Sequence, residues 1–436
     1  MMWIGLLLVT AAVSSSAPAD TAARPISLVE AVALAQRNAP AVIQAEGQKR
    51  TSDAGVRAAY GAFLPAVNVS AGASRQLPTR QGQTIVQNGQ VLTLAPDPWS
   101  LNIGLGASVD LFSGGARFFE LRQARLQAVG ATANLVIQRF GTTLAVKQQF
   151  FGVLAARESE AAARAQLEQA EQQLKTSILR LRLRVVTRSD SLRSEILVSN
   201  ARLAVLQART TLDVADAQLT RAVGAPYLVT AAAEDSLDRP GLALDDETLR
   251  QLALEGPGVQ QATATLQASQ AALRGAWTSY LPTVTASYSR SGSGTAAEFT
   301  TSTQDYSYSG SLRLSLSLPV FQRFQRVQQV TQAQVAVQNA EAGLTDARLA
   351  AVQTLTQALG AFHTAEQQAA VQAATLEAAQ EDLREQQEMY SIGLATLVDV
   401  LTSQTTLDQA RHALIQARYD QRVAKAQLEA LVARSL

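Results

Sequence analysis

At 436 residues with a formal net charge of +1, the chain is too nearly neutral to be read as a binder of nucleic acid or another polyanion. It has no cysteine, which removes disulfides, thiolate metal sites, cysteine nucleophiles and the lipid-modified cysteine of a bacterial lipoprotein. Its two histidines, His363 and His412, fall in helical stretches without a second metal ligand at a useful spacing. No GxSxG, P-loop, HExxH or strand-to-helix GxGxxG motif is present, so neither catalysis nor a cofactor is expected.

Trp3 to Val13 is an apolar run followed by Ser14-Ser-Ser-Ala-Pro-Ala19, the length of a signal-peptide core and too short to span a bilayer. Residues 1–19 are therefore expected to be an export signal, cleaved after Ala17 or Ala19. Leu28 to Asn38 reads as a short helix stopped by Pro40, and Ala41 to Ala62 as a second ending before Pro65. The period then changes to two. Val67, Val69, Ala71 and Ala73 alternate with Asn68, Ser70, Gly72 and Ser74, and Trp99 to Asp110 alternates in the same way. Leu77 to Pro98, rich in Gly, Thr, Gln and Ser, is the connecting loop.

From Gly114 to about Leu181 runs a proline-free helix rich in Ala, Gln, Leu and Glu. Its length of roughly 100 Å at 1.5 Å per residue serves no ordinary globular domain. Gly130, Gly141 and Gly152 recur along it every eleven residues, a stripe that suggests close helix packing. A helix from Ser189 to Val223 must run back antiparallel.

The pattern then repeats. Leu111-Phe112 matches Val320-Phe321, Asp190 matches Asp399, and Ala215 to Leu219 matches Ala424 to Leu428, all at an offset of 209. A second register of 217 links Phe63-Leu64-Pro65 to Tyr280-Leu281-Pro282, so the first copy carries a loop eight residues longer. The expected domains are a first repeat over 20–227 (strands 65–76 and 99–110, hairpin 114–223), a linker over 228–246, and a second repeat over 247–436. The latter holds strands 282–291 and 306–318 and a hairpin over 322–433. Its helices are Gln322 to about Glu388 and Leu397 to Val432, with Gly292 to Asp305 as the strand-connecting loop.

Strands of ten to thirteen residues with a small-hydroxyl polar face have the length and pattern of membrane-spanning β-structure; a soluble sandwich is the alternative. Phe63, Phe112, Tyr280 and Phe321 lie at one set of strand ends. Trp99, Tyr288, Tyr306 and Tyr308 lie towards the other, as two interfacial girdles in contact with outer membrane lipid would. Four strands cannot close a barrel, and an open edge in lipid leaves backbone groups unsatisfied at several kcal/mol each, so chains must share one sheet.

Strand pair, long hairpin, strand pair, long hairpin in an exported chain without cysteine resembles the TolC family of outer membrane efflux proteins, over essentially the whole mature chain. The most specific piece is Tyr390-Ser-Ile-Gly-Leu-Ala-Thr-Leu-Val-Asp-Val-Leu401, which looks like the family's second hairpin tip. The resemblance implies a mixed α+β membrane protein. It would be a homotrimer with a twelve-stranded β-barrel, four strands per chain, continued by a long antiparallel α-helical barrel across the periplasm. It implies an exit duct in the outer membrane, serving an inner membrane pump of RND, ABC or MFS type through a periplasmic adaptor, in efflux or type I secretion. A periplasmic adaptor or structural coiled-coil hairpin protein is the competing reading.

The resemblance also assigns the tips. Asp399 matches an aspartate ring at the periplasmic entrance and Tyr390 a gating tyrosine, while Thr402 and Ala395 replace a second ring aspartate and a gating arginine. Ser391, Ile392, Gly393 and Leu394 correspond to the adaptor-docking turn. The first tip, with Arg182, Val185 and Asp190, is the equivalent region, but Arg184 stands where Gly393 does, and a differently shaped turn is expected there. Lys175, Arg180, Arg182, Arg184, Arg188 and Arg193 make the first tip basic. Glu377, Glu381, Asp382, Glu385, Glu388 and Asp399 make the second acidic. Opposite tips alternating around a ring would meet, with Arg184 and Arg188 holding the aperture closed.

Overall fold

The computed structural model describes residues 23–75, 84–87, 90–93, 99–184, 187–232, 244–296, 299 and 306–436. The expected export signal, most of the Leu77–Pro98 loop, part of the 228–246 linker and Val185 lie outside the described residues. In chain order the elements are β1 (Arg24–Ile26), α1 (Leu28–Asn38), α2 (Pro40–Gly61), β2 (Ala66–Ser74), β3 (Thr84–Gln87), β4 (Gln90–Thr93), β5 (Trp99–Ser113), α3 (Ala116–Arg182), α4 (Arg188–Val223), β6 (Val229–Ala231), α5 (Asp246–Leu254), α6 (Pro257–Trp277), β7 (Thr283–Ala296), β8 (Ser307–Ser317), α7 (Gln325–Ser391) and α8 (Leu397–Val432). No helix among the described residues is long and apolar enough to cross a membrane.

The chain divides into two compact units. Residues 1–46, 134–258 and 348–436 form one, and 47–133 and 259–347 form the other. All four crossings fall inside helices (α2, α3, α6 and α7).

In the helical unit, Ser27 caps α1 by accepting from the Glu30 amide at 3.2 Å. Pro40, expected only to stop that helix, also opens the next at its first position, where a missing N–H costs nothing. The core gathers Val146, Phe150, Phe151, Val153 and Leu154 of α3 with Leu219 and Val223 of α4 and Tyr419 of α8. Ile26 of β1 and Val229 and Ala231 of β6 complete it, on two three-residue strands that pair in parallel. Strands this short carry no readable period, so nothing in the sequence announces them. The α7–α8 hairpin packs along Ala379, Leu383, Val400, Leu407 and Ala410 near its turn, and along Leu355, Phe362, Ala424 and Leu428 further from it.

The sheet unit holds four antiparallel strands in the order β2-β5-β7-β8, with β2 and β8 at open edges. The period-two reading is borne out. Val67, Val69, Ala71 and Ala73 share a face with Leu101, Ile103, Leu105 and Ala107, and that face continues through Ala286 and Tyr288 to Leu312, Leu314 and Leu316. The other face carries Asn68, Ser70, Asn102 and serines of β7 and β8. Two cross-strand hydroxyl pairs stitch it, Ser289–Ser311 at 2.9 Å and Ser291–Ser309 at 3.0 Å. Strands β2 and β8 are exposed along their whole length. A soluble sandwich would bury one face of such a sheet under another sheet, and this apolar face has no such cover among the described residues.

Four details differ from expectation. Strand β7 continues to Ala296, through the start of the loop expected from Gly292, and the longer first loop contains a β3–β4 hairpin. Tyr288 lies mid-sheet, between Ala107 and Leu312, and not towards a strand end. The glycine stripe does not mark close packing within the chain: a Cβ at Gly141 or Gly152 would meet nothing within 4 Å, and one at Gly130 only ordinary contact with Ala264 at 3.7 Å.

Candidate functional site: two helical tips and a two-faced sheet

The returning helix of each hairpin begins at a capping box. Thr187 caps α4 and Thr396 caps α8. The following aspartate, Asp190 or Asp399, accepts from the threonine amide (3.0 and 2.8 Å) and its hydroxyl (2.7 Å in both). The two aspartates expected at the aperture therefore have a local structural task, satisfying helix-start N–H groups. The Thr396 hydrogen bonds hold the Asp399 carboxyl below the usual carboxylate range, so it stays charged.

At one position the two tips share a backbone conformation. Gly393 has φ 82° and Arg184 has φ 61°, so the arginine takes the left-handed conformation that glycine takes at the equivalent position. A side chain there costs about 1 kcal/mol against glycine. Arg184→Gly is expected to stabilise the isolated tip by about that amount, read as a higher midpoint for loss of helical signal, whereas Gly393→Ala should lower it.

Arg182, Arg184 and Arg188 make no ion pair among the described residues, and Ile392 and Leu394 are exposed at 71% and 77%. On the acidic side Arg384, missing from the sequence tally of charges, binds Glu381 and Glu388 within its own helix. The two tips are joined through a different pair. The Arg180 guanidinium lies over the Tyr390 ring, 4.9 Å from its centroid.

Further from the tips, a polar seam joins α3 to α8. Lys147 pairs with Glu429, the Tyr419 hydroxyl donates to Glu158 at 2.6 Å, and Gln166 donates to Asp408 at 2.6 Å. As the α3 residues descend towards the tip, their partners do so in reverse sequence order, as antiparallel neighbours must. Burial pushes the Asp408 carboxyl up despite Arg411, His412 and Gln166, and burial likewise raises the Tyr419 hydroxyl. Beside the seam, α3, α4 and α8 enclose a groove of about 580 Å³ lined by Phe151, Gly152, Gln207, Thr211, His412 and Gln416.

In the sheet unit, aromatic pairs cluster where strands meet helices: Phe63 with Phe118, Trp277 with Tyr280, and Phe321 with Phe324, at 5.2, 5.7 and 5.6 Å. Arg117 covers Phe63 and Arg326 covers Tyr280. At the other end Trp99 meets Phe299 and Tyr306 meets Tyr308. Phe112 lies near the helical end of β5, beside a register shift after Asp110. Among the described residues one charged group, Arg290, stands on the apolar face, stacked on Tyr308 at 5.4 Å. Alternation along β7 could have revealed it, because it shares the parity of Tyr288.

The family model described as "Outer membrane efflux protein" matches residues 31–225 and again 248–434. The chain belongs to this outer membrane efflux protein family. The double match agrees with the internal duplication, and family members are transport proteins without catalytic activity. The adaptor and structural coiled-coil alternatives are thereby set aside. Among curated family relatives, Protein CyaE of Bordetella pertussis is 28% identical over 74% of this chain and 66% of its own length. Outer membrane protein TolC of Escherichia coli is 29% identical over 62% of this chain and 57% of its own. The matched region thus spans less than two thirds of each relative. A membrane protein structure from Pseudomonas aeruginosa superposes with a TM-score of 0.76 at 20% identity, covering 93% of both chains, which establishes the TolC-like fold.

Proposed function

We propose that the protein is a passive exit duct in the outer membrane. Three copies share one twelve-stranded barrel, and their helical hairpins continue it into the periplasm as a conduit fed by an inner membrane pump through a periplasmic adaptor. The observation that carries this reading is the sheet. It exposes an apolar face and a serine-rich face together, and among the described residues the outer edges of β2 and β8 have no partner strand. Pairing the β8 edge of one copy with the β2 edge of the next satisfies the backbone, turns the apolar face to lipid and the hydroxyls to water. Family membership, the fold and the aromatic clusters support it.

The tips are the periplasmic end. The exposed Ile392 and Leu394, with Ser391, Gly393 and Arg182, form the surface for the adaptor, and Asp190, Asp399, Arg184 and Arg188 surround the aperture. Tyr390 acts as a latch through Arg180. A cation–π contact at an exposed site is worth about 0.5–1 kcal/mol. Breaking one per copy in a trimer releases about 2 kcal/mol, a shift in the open population on the order of thirtyfold. In planar bilayers the wild-type protein should show a small conductance, and Tyr390→Ala should raise the open fraction by that order. A protein that inserts without conducting under either condition would overturn the duct reading. Equal conductance of both proteins would remove Tyr390 from the latch.

A further inference from the structure

The charge on the apolar face of the sheet sits in a built surround. From the end where the helices attach, β7 presents Val284, Ala286, Tyr288, Arg290, Gly292 and Gly294 on that face. Arg290 pairs with Leu105 of β5 on one side and with Gly310 of β8 on the other. The arginine and Gly310 are both exposed, so the missing side chain leaves room directly across from the cation. Gly292, one step further along the same face, is buried.

What covers Gly292 is the ring of Tyr308. A Cβ on Gly292 would come within 2.7 Å of that ring and 2.9 Å of Ile103, so the glycine is what lets the ring lie across β7. The ring carries the Arg290 guanidinium at 5.4 Å and packs against Tyr306 at 5.9 Å. The Tyr288 hydroxyl reaches the level of Arg290, 4.0 Å from where a Cβ of Gly310 would stand. Arg290 and the hydroxyls of Tyr288 and Tyr308 make no ion pair or hydrogen bond among the described residues. Depth matters as well. A strand rising about 3.4 Å per residue and tilted by about 40° gains about 2.6 Å of height per residue. Gly292 and the Tyr308 ring therefore stand about 23 Å above Thr283, near the top of an apolar band about 25 Å tall. Helices α2, α3, α6 and α7 all join the sheet at the Thr283 end, so this rim faces away from them.

We infer that Arg290, framed by Tyr288 and Tyr308, holds the phosphate of a lipid in the outer leaflet, one site on each copy. This rests on the outer membrane orientation of the duct reading and gives its lipid face a specific ligand. A guanidinium at the rim of the band stands in a poorly screening medium, and the anions of a bilayer at that depth are lipid phosphates. Its planar fork grips two phosphate oxygens, with the tyrosine hydroxyls as further donors. Stacking on Tyr308 fixes the fork beforehand, so little freedom is lost on binding. The space at Gly310 admits the headgroup, and the acyl chains run down over Leu312 and Leu314.

The test measures how much purified lipopolysaccharide, a phosphorylated lipid, stays on the protein after washing in detergent. Wild type should retain it, and should not retain the same lipid stripped of its phosphates. Arg290→Leu should retain about tenfold less, and Arg290→Lys, with the charge but not the fork, should fall between. Leucine suits a lipid face, so Arg290→Leu still assembles. Arg313→Leu removes an arginine from the serine face and should leave retention unchanged. A protein that is trimeric by mass in the outer membrane, yet retains none, or retains as much after Arg290→Leu, or loses as much after Arg313→Leu, would overturn the site and leave the duct reading intact. Displacement of the lipid by an equal concentration of inorganic phosphate would make the ligand free phosphate and overturn the lipid assignment. A soluble monomer would overturn both readings.

Discussion

Leu312→Arg is expected to abolish assembly in the outer membrane, whereas Ser311→Arg, one residue away, should leave it in place. Leu312 is 81% exposed on the apolar face, opposite Tyr288, while Ser311 faces the other way and shares a 2.9 Å hydroxyl contact with Ser289. An arginine near the bilayer midplane costs about 2–4 kcal/mol, and a trimer would carry three, so the penalty reaches about 6–12 kcal/mol. That is comparable to the whole stability of an ordinary domain. The serine face already contains Arg313 opposite Ser287 and Asp110 bonded to Thr285, so one more cation in a wet lumen is tolerated. The check is the amount of oligomer recovered from the outer membrane fraction. Equal recovery of both variants would mean that the two faces are not lipid and water.

Phe150→Ala should cost about 3–5 kcal/mol, the range for emptying a fully buried aromatic site. Phe150 is fully buried and edge-on to Phe151, which in turn lies beside Tyr419. It belongs to the cluster in which α1, α3, α4 and α8 meet the β1–β6 pair, so its removal opens a cavity that several elements would have to collapse into. The readout is the midpoint of chemical or thermal melting of the helical signal in detergent. Val371→Ala, at an exposed position of α7, is the control and should change it by less than about 0.5 kcal/mol. A similarly small change for Phe150→Ala would show that this cluster is not the core of the helical unit.

What was legible in the sequence followed from length and repetition. A run of 67 helical residues without proline in α3, and another in α7, leaves no other regular structure available. Alternation over 11 to 15 residues in β5, β7 and β8 assigns each side chain to a face, and the pairing register agrees strand by strand. Features that depend on a few residues were hidden. The β1–β6 pair is set by tertiary burial of Ile26 and Val229, and no three-residue pattern announces it. The left-handed conformation of Arg184 was not legible, because it costs an arginine only about 1 kcal/mol, which the connection between two long helices can overrule. At the tips, the capping boxes of Thr187 with Asp190 and Thr396 with Asp399 were readable from the threonine-to-acid spacing of three. The family resemblance had drawn attention to the aspartates alone. The Arg180–Tyr390 stack joins residues on different hairpins and follows from no local pattern.

The central claim is that several copies share one membrane sheet, and the most direct measurement is the mass of the protein extracted in detergent from fractionated membranes. The account predicts recovery from the outer membrane as a trimer, with mass three times the 46.3 kDa chain less any cleaved signal. A monomer released into the soluble fraction would contradict it, because the edges of β2 and β8 would then have to be satisfied within one chain.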